Sequence, residues 1–402
     1  MRTLLTVLLL VWLASCNFQG RNINDPPIGI GAQEPALTVT DQGLILSWLE
    51  PNEGDIHLRM SMHNGSRWSE PKTIAKGYDW FVNWADFPAI VANGDKLFVH
   101  FLQKSAHTTY AYDVMFSLSS DMGGTWSAPK KLHADTVAAE HGFVSAVAYK
   151  EGFQVSWLDG RFTGAENGAM TIRSAYIDEG GEILNSVEID HKTCDCCPTS
   201  MDLLDGIPWV FYRDRSDEEI RDIYFSKMID SEWTEPALFH QDAWQINGCP
   251  VNGPAVSSFK KTMAVAWFTG AQNENKVKLK ISLDAGNTFG GEILVNGDKS
   301  LGRVDIKLDS ANIYVTYLAR WEDEAAIVLN TYNYSGKLVD KERMVIISAE
   351  RGSGFPKIAI WHENLIFVWT DIEENKIKIL KYPLNKDHIS AQGNLRRNQR
   401  IK

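Results

Sequence analysis

Ser119-Ser120-Asp121-Met122-Gly123-Gly124-Thr125-Trp126 reads S-x-D-x-G-x-T-W, and Ser282-Leu283-Asp284-Ala285-Gly286-Asn287-Thr288-Phe289 repeats it with Phe for Trp. Ser61 to Trp68 and Ser226 to Trp233 keep the same serine-to-aromatic spacing without the central Asp. Asp and Gly together make a tight hairpin, because Asp bonds nearby backbone and Gly accepts left-handed φ. The aromatic that follows suits a gap between two sheets, where a large flat ring buries most of its area. Each stretch therefore reads as the turn between two antiparallel strands.

Working outward, a strand with a central aromatic recurs at Trp48, Phe101, Trp157, Tyr212, Trp267, Tyr317 and Trp369, in steps of 53, 56, 55, 55, 50 and 52 residues. A second mark, often proline, precedes each by 13 or 14 residues: Pro35, Pro88, Val144, Pro198, Pro254, Val304 and Pro356. Each mark opens a shorter apolar strand, and a third and fourth strand follow the aromatic. Four short strands per fifty-odd residues, bounded by Gly, Asn and Asp turns, is the pattern of a propeller blade. A helical solenoid would need an apolar period of 3.6, whereas these segments alternate or run solid. The expectation is an all-β, seven-bladed β-propeller over residues 31–385, with six blades as the alternative if one terminal unit is not a true blade. The last unit has only three strands, and Asn22 to Ile30 could supply its outer one and close the ring.

The N-terminus carries a separate message. Met1-Arg2 is followed by an apolar run from Leu4 to Ala14, too short to span a bilayer but suited to a signal peptide. Leu13-Ala14-Ser15-Cys16 resembles the lipobox of bacterial lipoproteins. Residues 1–15 then form a leader and Cys16 takes the lipid. Residues 16–30 follow as a lipidated N-terminus, and residues 386–402 form a polar, basic tail. The expected place is the bacterial cell envelope, periplasmic or at the cell surface, held to a membrane by acyl chains. An ordinary signal peptide with a chance cysteine is the alternative. The 402 residues carry a net charge of −11, which argues against nucleic acid as a partner, since that partner needs a basic face.

In a propeller, the loops entering each innermost strand and those joining second to third strands gather on one face. Aligned on the seven aromatics, Cys194 and Cys249 share a register one blade apart, as do Cys196 and His141, with Cys197 beside them. Two readings stand. One is structural disulfides, with Cys194–Cys249 the natural pair in an exported chain. The other is a soft-metal or thiol site for copper or zinc.

A second group lies at Tyr212-Arg213-Asp214-Arg215 and Glu219-Ile220-Arg221-Asp222, near Asp159 and Arg161 and near Arg303 and Asp305. Its guanidinium groups suit bidentate capture of a carboxylate or phosphate. Asp214 or Asp159 in a dry pocket suits a general acid. A buried ion-pair network is the competing reading. His107, Tyr110, Tyr112 and Asp113 are placed to line the same mouth.

The S-x-D-x-G-x-T-W turns resemble Asp-boxes. The chain is similar to exported sialidase-like (BNR/Asp-box) proteins over nearly all its length after the leader. It resembles in particular a bacterial subgroup carrying Glu140-His141-Gly142-Phe143, Trp157-Leu158-Asp159-Gly160-Arg161, the C-x-C-C of Cys194 to Cys197, and Gly248 to Pro254. The resemblance implies binding or hydrolysis of an acidic glycan or another anionic ligand. Sialidases hold a carboxylate with three arginines, the first in R-I-P on the opening blade, and use an Asp acid with a Tyr–Glu pair. Here the opening reads Gln33-Glu34-Pro35. Three classes are expected: a glycan-acting or glycan-binding relative of sialidases, a Cys/His metal or thiol site, and a non-catalytic docking lipoprotein.

Overall fold

A computed structural model describes residues 23, 25–297 and 299–384. The leader, Cys16 and the tail from 386 lie outside the described residues. The chain forms seven antiparallel sheets, each strand pairing with the next along the chain except in the fourth, where Ile223–Ile229 pairs with both Glu232–Trp233 and Ala237–His240. The innermost strands are Gln33–Thr40, Ile90–Asn93, His141–Tyr149, Ser200–Leu204, Ala255–Phe259, Ser300–Leu308 and Lys357–Trp361, and they number blades 1 to 7. Consecutive innermost strands are neighbours, and that of blade 7 lies beside that of blade 1, so the ring is closed. This is the expected seven-bladed propeller.

The core explains the solid apolar strands. Most apolar clusters draw chiefly on two adjacent blades: Leu58 and Met60 meet Leu97 and Phe101, while Phe98 and Phe116 meet Phe153 and Trp157. Others repeat this around the ring, ending where Ile366 and Val368 of blade 7 meet Leu44 and Leu46 of blade 1. A second strand is thus covered on both faces, and Gly43–Asn52 is buried from Gly43 to Leu49. The seven repeat aromatics all sit inside these interfaces. Truncating one to alanine leaves a cavity that typically costs ~3–5 kcal/mol.

The two complete turns fold identically. In the first, Ser119 Oγ and Thr125 N donate to Asp121 Oδ1, each at 2.8 Å, Thr125 Oγ1 donates to Oδ2 at 2.9 Å, and Gly123 N donates to Ser119 Oγ. Asp284 collects the same bonds from Ser282 and Thr288. These donors hold Asp121 and Asp284 down at about 2. Gly123 and Gly286 both take φ of 77°, and a Cβ on either would strike the preceding blade, at Met60 or Trp209. The turns therefore lock blade to blade at the outer edge, away from the face that gathers the loops.

Closure differs from the expectation. Blade 7 keeps three strands, and residues 25–30 do not pair with it as a fourth. They run as irregular chain, then Gly31 N–H donates to Asn375 O, and Ile23 packs among Trp68, Trp361 and Ile377. Pro26-Pro27 explains the missing strand, because proline offers no N–H to a ladder.

Candidate functional site

The polar residues singled out above do collect on one rim, mostly over blades 2, 3 and 4 and off the ring axis. A cavity of about 240 Å³ lies on the axis between the innermost strands, and an aromatic cluster caps it: Trp84 stacks on Phe355 at 5.8 Å, and Phe87, Phe143, Val251 and Cys196 pack with them.

His141 opens the innermost strand of blade 3 and is fully buried. Its ring stacks on His133 at 3.8 Å, and its Nδ1 faces the carbonyls of Tyr112 and Ala139. Three carboxylates surround the pair. His133 Nδ1 meets Asp135 at 2.6 Å and its Nε2 lies 3.4 Å from Asp113, while His141 Nε2 lies 3.3 Å from Asp135 and 3.6 Å from Asp159. Arg161 and Lys131 supply the counter-charge, at 2.6 Å from Asp159 and 3.4 Å from Asp113. Burial and the neighbouring His133 lower the pKa of His141. His133 and Asp135 were not read from the sequence. The signal was present, since Asp135 stands 22 residues before Trp157, as Asp190 does before Tyr212.

Asp159 is not an acid in waiting. Burial works against its charge, but two bonds from Arg161, the nearby His141 and the Trp157 indole N–H outweigh it and hold it at about 2. The Trp157 bond recurs in blade 1, where Trp48 donates to Glu50 at 2.8 Å. In these two blades the acidic residue two beyond the aromatic anchors its own indole.

The cysteines divide. Cys194, Cys196 and Cys197 bring their sulfurs within 4.8 Å of one another, with Sγ–Sγ distances of 3.9 Å from Cys194 to Cys196 and 3.3 Å to Cys197. All four described cysteines are free thiols, and Cys249 is exposed and outside this group. The Cys194–Cys249 bridge is therefore not formed, and His141 belongs to the carboxylate cluster instead. Shared register along the chain puts residues on one rim, but the loop entering each innermost strand turns its side chains its own way.

The arginines are occupied. Arg213 is fully buried and gives its N–H groups to the carbonyls of Asn252, Arg221 and Phe268. Arg303 donates to Ser353 Oγ and to the carbonyls of Gly354 and Glu350, with its guanidinium over Trp84. Asp305 accepts from the Ile358 and Ile306 N–H groups, which joins blade 6 to blade 7. Arg221 spans Cys194 Sγ at 3.2 Å and Glu219 at 2.8 Å, while Arg215 pairs with Glu219 and Asp195. The expected anion clamp is thus a set of guanidinium groups already satisfied by carbonyls and carboxylates. Arg161 and Arg215 keep the most solvent exposure.

Two open clefts flank the Cys194–Cys197 loop. One, of about 520 Å³, is lined by Tyr110, Glu140, Thr163 and Asp195. The other, of about 540 Å³, is lined by Asp190, Lys192, Asp214, Arg215 and Tyr224. Both hold a carboxyl poised near neutrality. Burial pushes Glu140 up to about 7, helped by the charges of Asp195 and Cys194 and opposed by a 2.6 Å bond from Tyr112 Oη. Burial, then the nearby Asp190, raises Asp214 to about 7. Glu140 was quoted in a motif but not read as a site residue. Its pKa depends on Tyr112, 28 residues away, a juxtaposition that only the folded ring supplies. Of the expected aromatic wall, Tyr110 is exposed in the first cleft, His107 is exposed, Tyr112 is buried behind Glu140, and Asp113 faces the histidines.

Asp86 lies behind Tyr112 and is raised to about 8, mainly by burial. Its folded value exceeds the unfolded carboxyl value of about 4, so the stability it contributes is full below pH ~4 and is lost as pH rises through about 8. Asp86→Asn, which stays neutral, is expected to gain melting temperature relative to the native protein between pH 5 and pH 8. A difference that is constant across that range in thermal unfolding would refute this.

A closed ring of seven blades with Asp-box turns at the outer edge and titratable residues on one rim defines a sialidase-like β-propeller. The chain belongs to the BNR repeat-like domain family, which matches residues 50–365. No curated protein matches it in sequence. Among solved structures it is similar to an ulvan lyase of a new polysaccharide lyase family. That likeness has 13% identity and a TM-score of 0.53, and it covers 91% of this chain and 95% of that one. The same lyase bound to -[GlcA(1-4)Rha3S]- matches with 12% identity, TM-score 0.51 and the same coverage. An acylaminoacyl peptidase of Pyrococcus horikoshii matches with 13% identity and TM-score 0.51, covering 91% of this chain and 54% of that one. Enzymes of unlike chemistry share the ring, so these likenesses define the fold alone.

Proposed function

We propose that the protein is a membrane-held propeller that binds an acidic saccharide chain along the rim of blades 2 to 4 and cleaves a glycosidic bond there. The observation that carries this reading is Glu140: a carboxyl near pKa 7, tied to Tyr112 at 2.6 Å, lining an open cleft beside an exposed tyrosine ring. Such a group is about half protonated at pH 7, against a trace for an ordinary carboxyl, and can hand its proton to a departing glycosidic oxygen. Water then adds to the anomeric carbon, and Asp195 in the same cleft is placed to take the proton it loses. Tyr110 offers a flat face for a sugar ring. Lys192 and Arg215 line the adjoining cleft, and an acidic substituent reaches them by displacing Asp217 from Lys192 or Asp195 from Arg215, both partly exposed ion pairs. The ulvan lyase that shares the fold was solved with an acidic oligosaccharide, which is consistent with this substrate class.

The test is a screen of acidic polysaccharides and glycosides for binding and for released reducing ends. Glu140→Gln is expected to lower kcat by roughly 10²–10⁴-fold while retaining binding and the native circular dichroism. Unaltered turnover in that variant would remove Glu140 from the chemistry. A screen with no binding at all would favour the docking class.

A further inference from the structure

We propose that Cys194, Cys196 and Cys197 form a three-sulfur site for a soft monovalent metal ion, copper(I), with Arg221 as its charge partner. These sulfurs take no chemical part in the saccharide reading, although the two sites adjoin, since the charge of Cys194 helps raise Glu140. Three observations converge on it.

The first is geometric. Metal–thiolate bonds of about 2.3 Å in a trigonal arrangement place sulfurs about 4 Å apart. Cys194 and Cys196 already stand at 3.9 Å, Cys194 and Cys197 at 3.3 Å, and all three sulfurs lie within 4.8 Å. Reaching that spacing changes the sulfur–sulfur distances by less than about 1 Å, within the reach of side-chain torsions.

The second is the donor set. All three donors are sulfur, and among the described residues no His, Asp or Glu ligand atom joins the group. Thiolates suit copper(I), zinc and iron–sulfur clusters alike, but zinc asks for four ligands in a closed structural site, and three sulfurs without a fourth donor favour copper(I). Cys249, the one described cysteine outside the group, is exposed.

The third is the surroundings. Cys194 and Cys197 are buried, and Cys196 packs against the apolar cap of Phe143, Val251 and Phe355. Arg221, itself buried, places Nη1 3.2 Å from Cys194 Sγ. A buried guanidinium beside a thiol stabilises the thiolate. Each thiol releases its proton as its sulfur–copper bond forms. Three thiolates on one copper(I) then carry a net charge of −2, which Arg221 partly offsets. No electron is transferred, so no oxidant or reductant is required beyond copper supplied as copper(I). A disulfide between Cys194 and Cys197 is the competing use of the same atoms, but it would leave Cys196 without a role.

The experiment is titration of the reduced full-length protein with copper(I) against a chromophoric chelator, with X-ray absorption of the loaded protein. One copper per chain with a shell of three sulfurs is expected. Cys196→Ser should bind at least roughly 100-fold more weakly, since loss of a direct ligand exceeds the 10–100-fold typical of an outer-shell change. Cys249→Ser should bind as the native protein does. Arg221→Gln, checked for folding by circular dichroism, should weaken binding roughly 10-fold or more. The assignment is overturned by a Cys194–Cys197 disulfide that persists at the envelope's redox poise, or by tighter binding of zinc than of copper(I). It is equally overturned by native affinity in Cys196→Ser, or by no binding.

Discussion

On the proposed lipoprotein reading, replacing Cys16 by serine is expected to shift the protein from the membrane fraction to the soluble fraction almost completely. Transfer of a diacylglyceryl group to this position requires a thiol, and a hydroxyl is a far poorer nucleophile near neutral pH. Acyl chains contribute ~0.8 kcal/mol for each buried methylene, and one chain alone binds only marginally, so stable anchoring needs more than one. On that reading, losing the Cys16 sulfur removes every chain at once. The apolar run ahead of it offers no substitute, being about eleven residues against the ~20 that a spanning helix needs. The measurement is detergent phase partitioning with incorporation of labelled fatty acid, comparing the native chain with Cys16→Ser. Label retained by the serine variant, or a native chain that partitions into water, would end the lipoprotein reading. An uncleaved leader alone would be distinguished by mass.

The architecture was legible because a propeller writes itself into the chain as a period. Trp48, Phe101, Trp157 and their successors recur because each occupies the same place between two blades, where both faces of a strand are covered. The Asp121 and Asp284 turns were legible for the same reason: their bonds are local, all within five residues. The site was legible only as a rim. Register along the repeat puts Cys196 and His141 at equivalent heights, but a loop's direction is set by what its backbone meets. His141 turns toward Tyr112 and Ala139 of the blade 2 side, and Cys196 turns toward the axis. Glu140 and Asp135 escaped notice because their chemistry is made by partners from another blade, and Arg213 misled because a guanidinium that organises backbone looks, in sequence, like one that binds a ligand.

Arg213→Leu is expected to destabilise the fold by about 3–5 kcal/mol, the range for removing one member of a buried charged network. The side chain is fully buried, and among the described residues no carboxylate lies within ion-pair reach of it. Its charge is met by carbonyl oxygens at 2.6 to 3.0 Å, from Arg221, Asn252 and Phe268, and by the Trp244 ring at 4.8 Å. Leucine fills part of the volume but leaves these carbonyls buried without donors, each costing ~1–3 kcal/mol if water cannot reach it. The effect spreads beyond one blade. Asn252, whose carbonyl takes two of the bonds, also accepts the Arg303 N–H through its side chain at 2.7 Å, so the loops of blades 4, 5 and 6 share one anchor. Arg215→Ala is the control: its ion pairs with Glu219 and Asp195 are partly exposed and are worth ~1 kcal/mol or less. Urea unfolding of both variants should give a large fall in midpoint for Arg213→Leu and a small one for Arg215→Ala. Equal midpoints would mean that Arg213 is not the anchor of the rim and would return it to the set of candidate anion ligands.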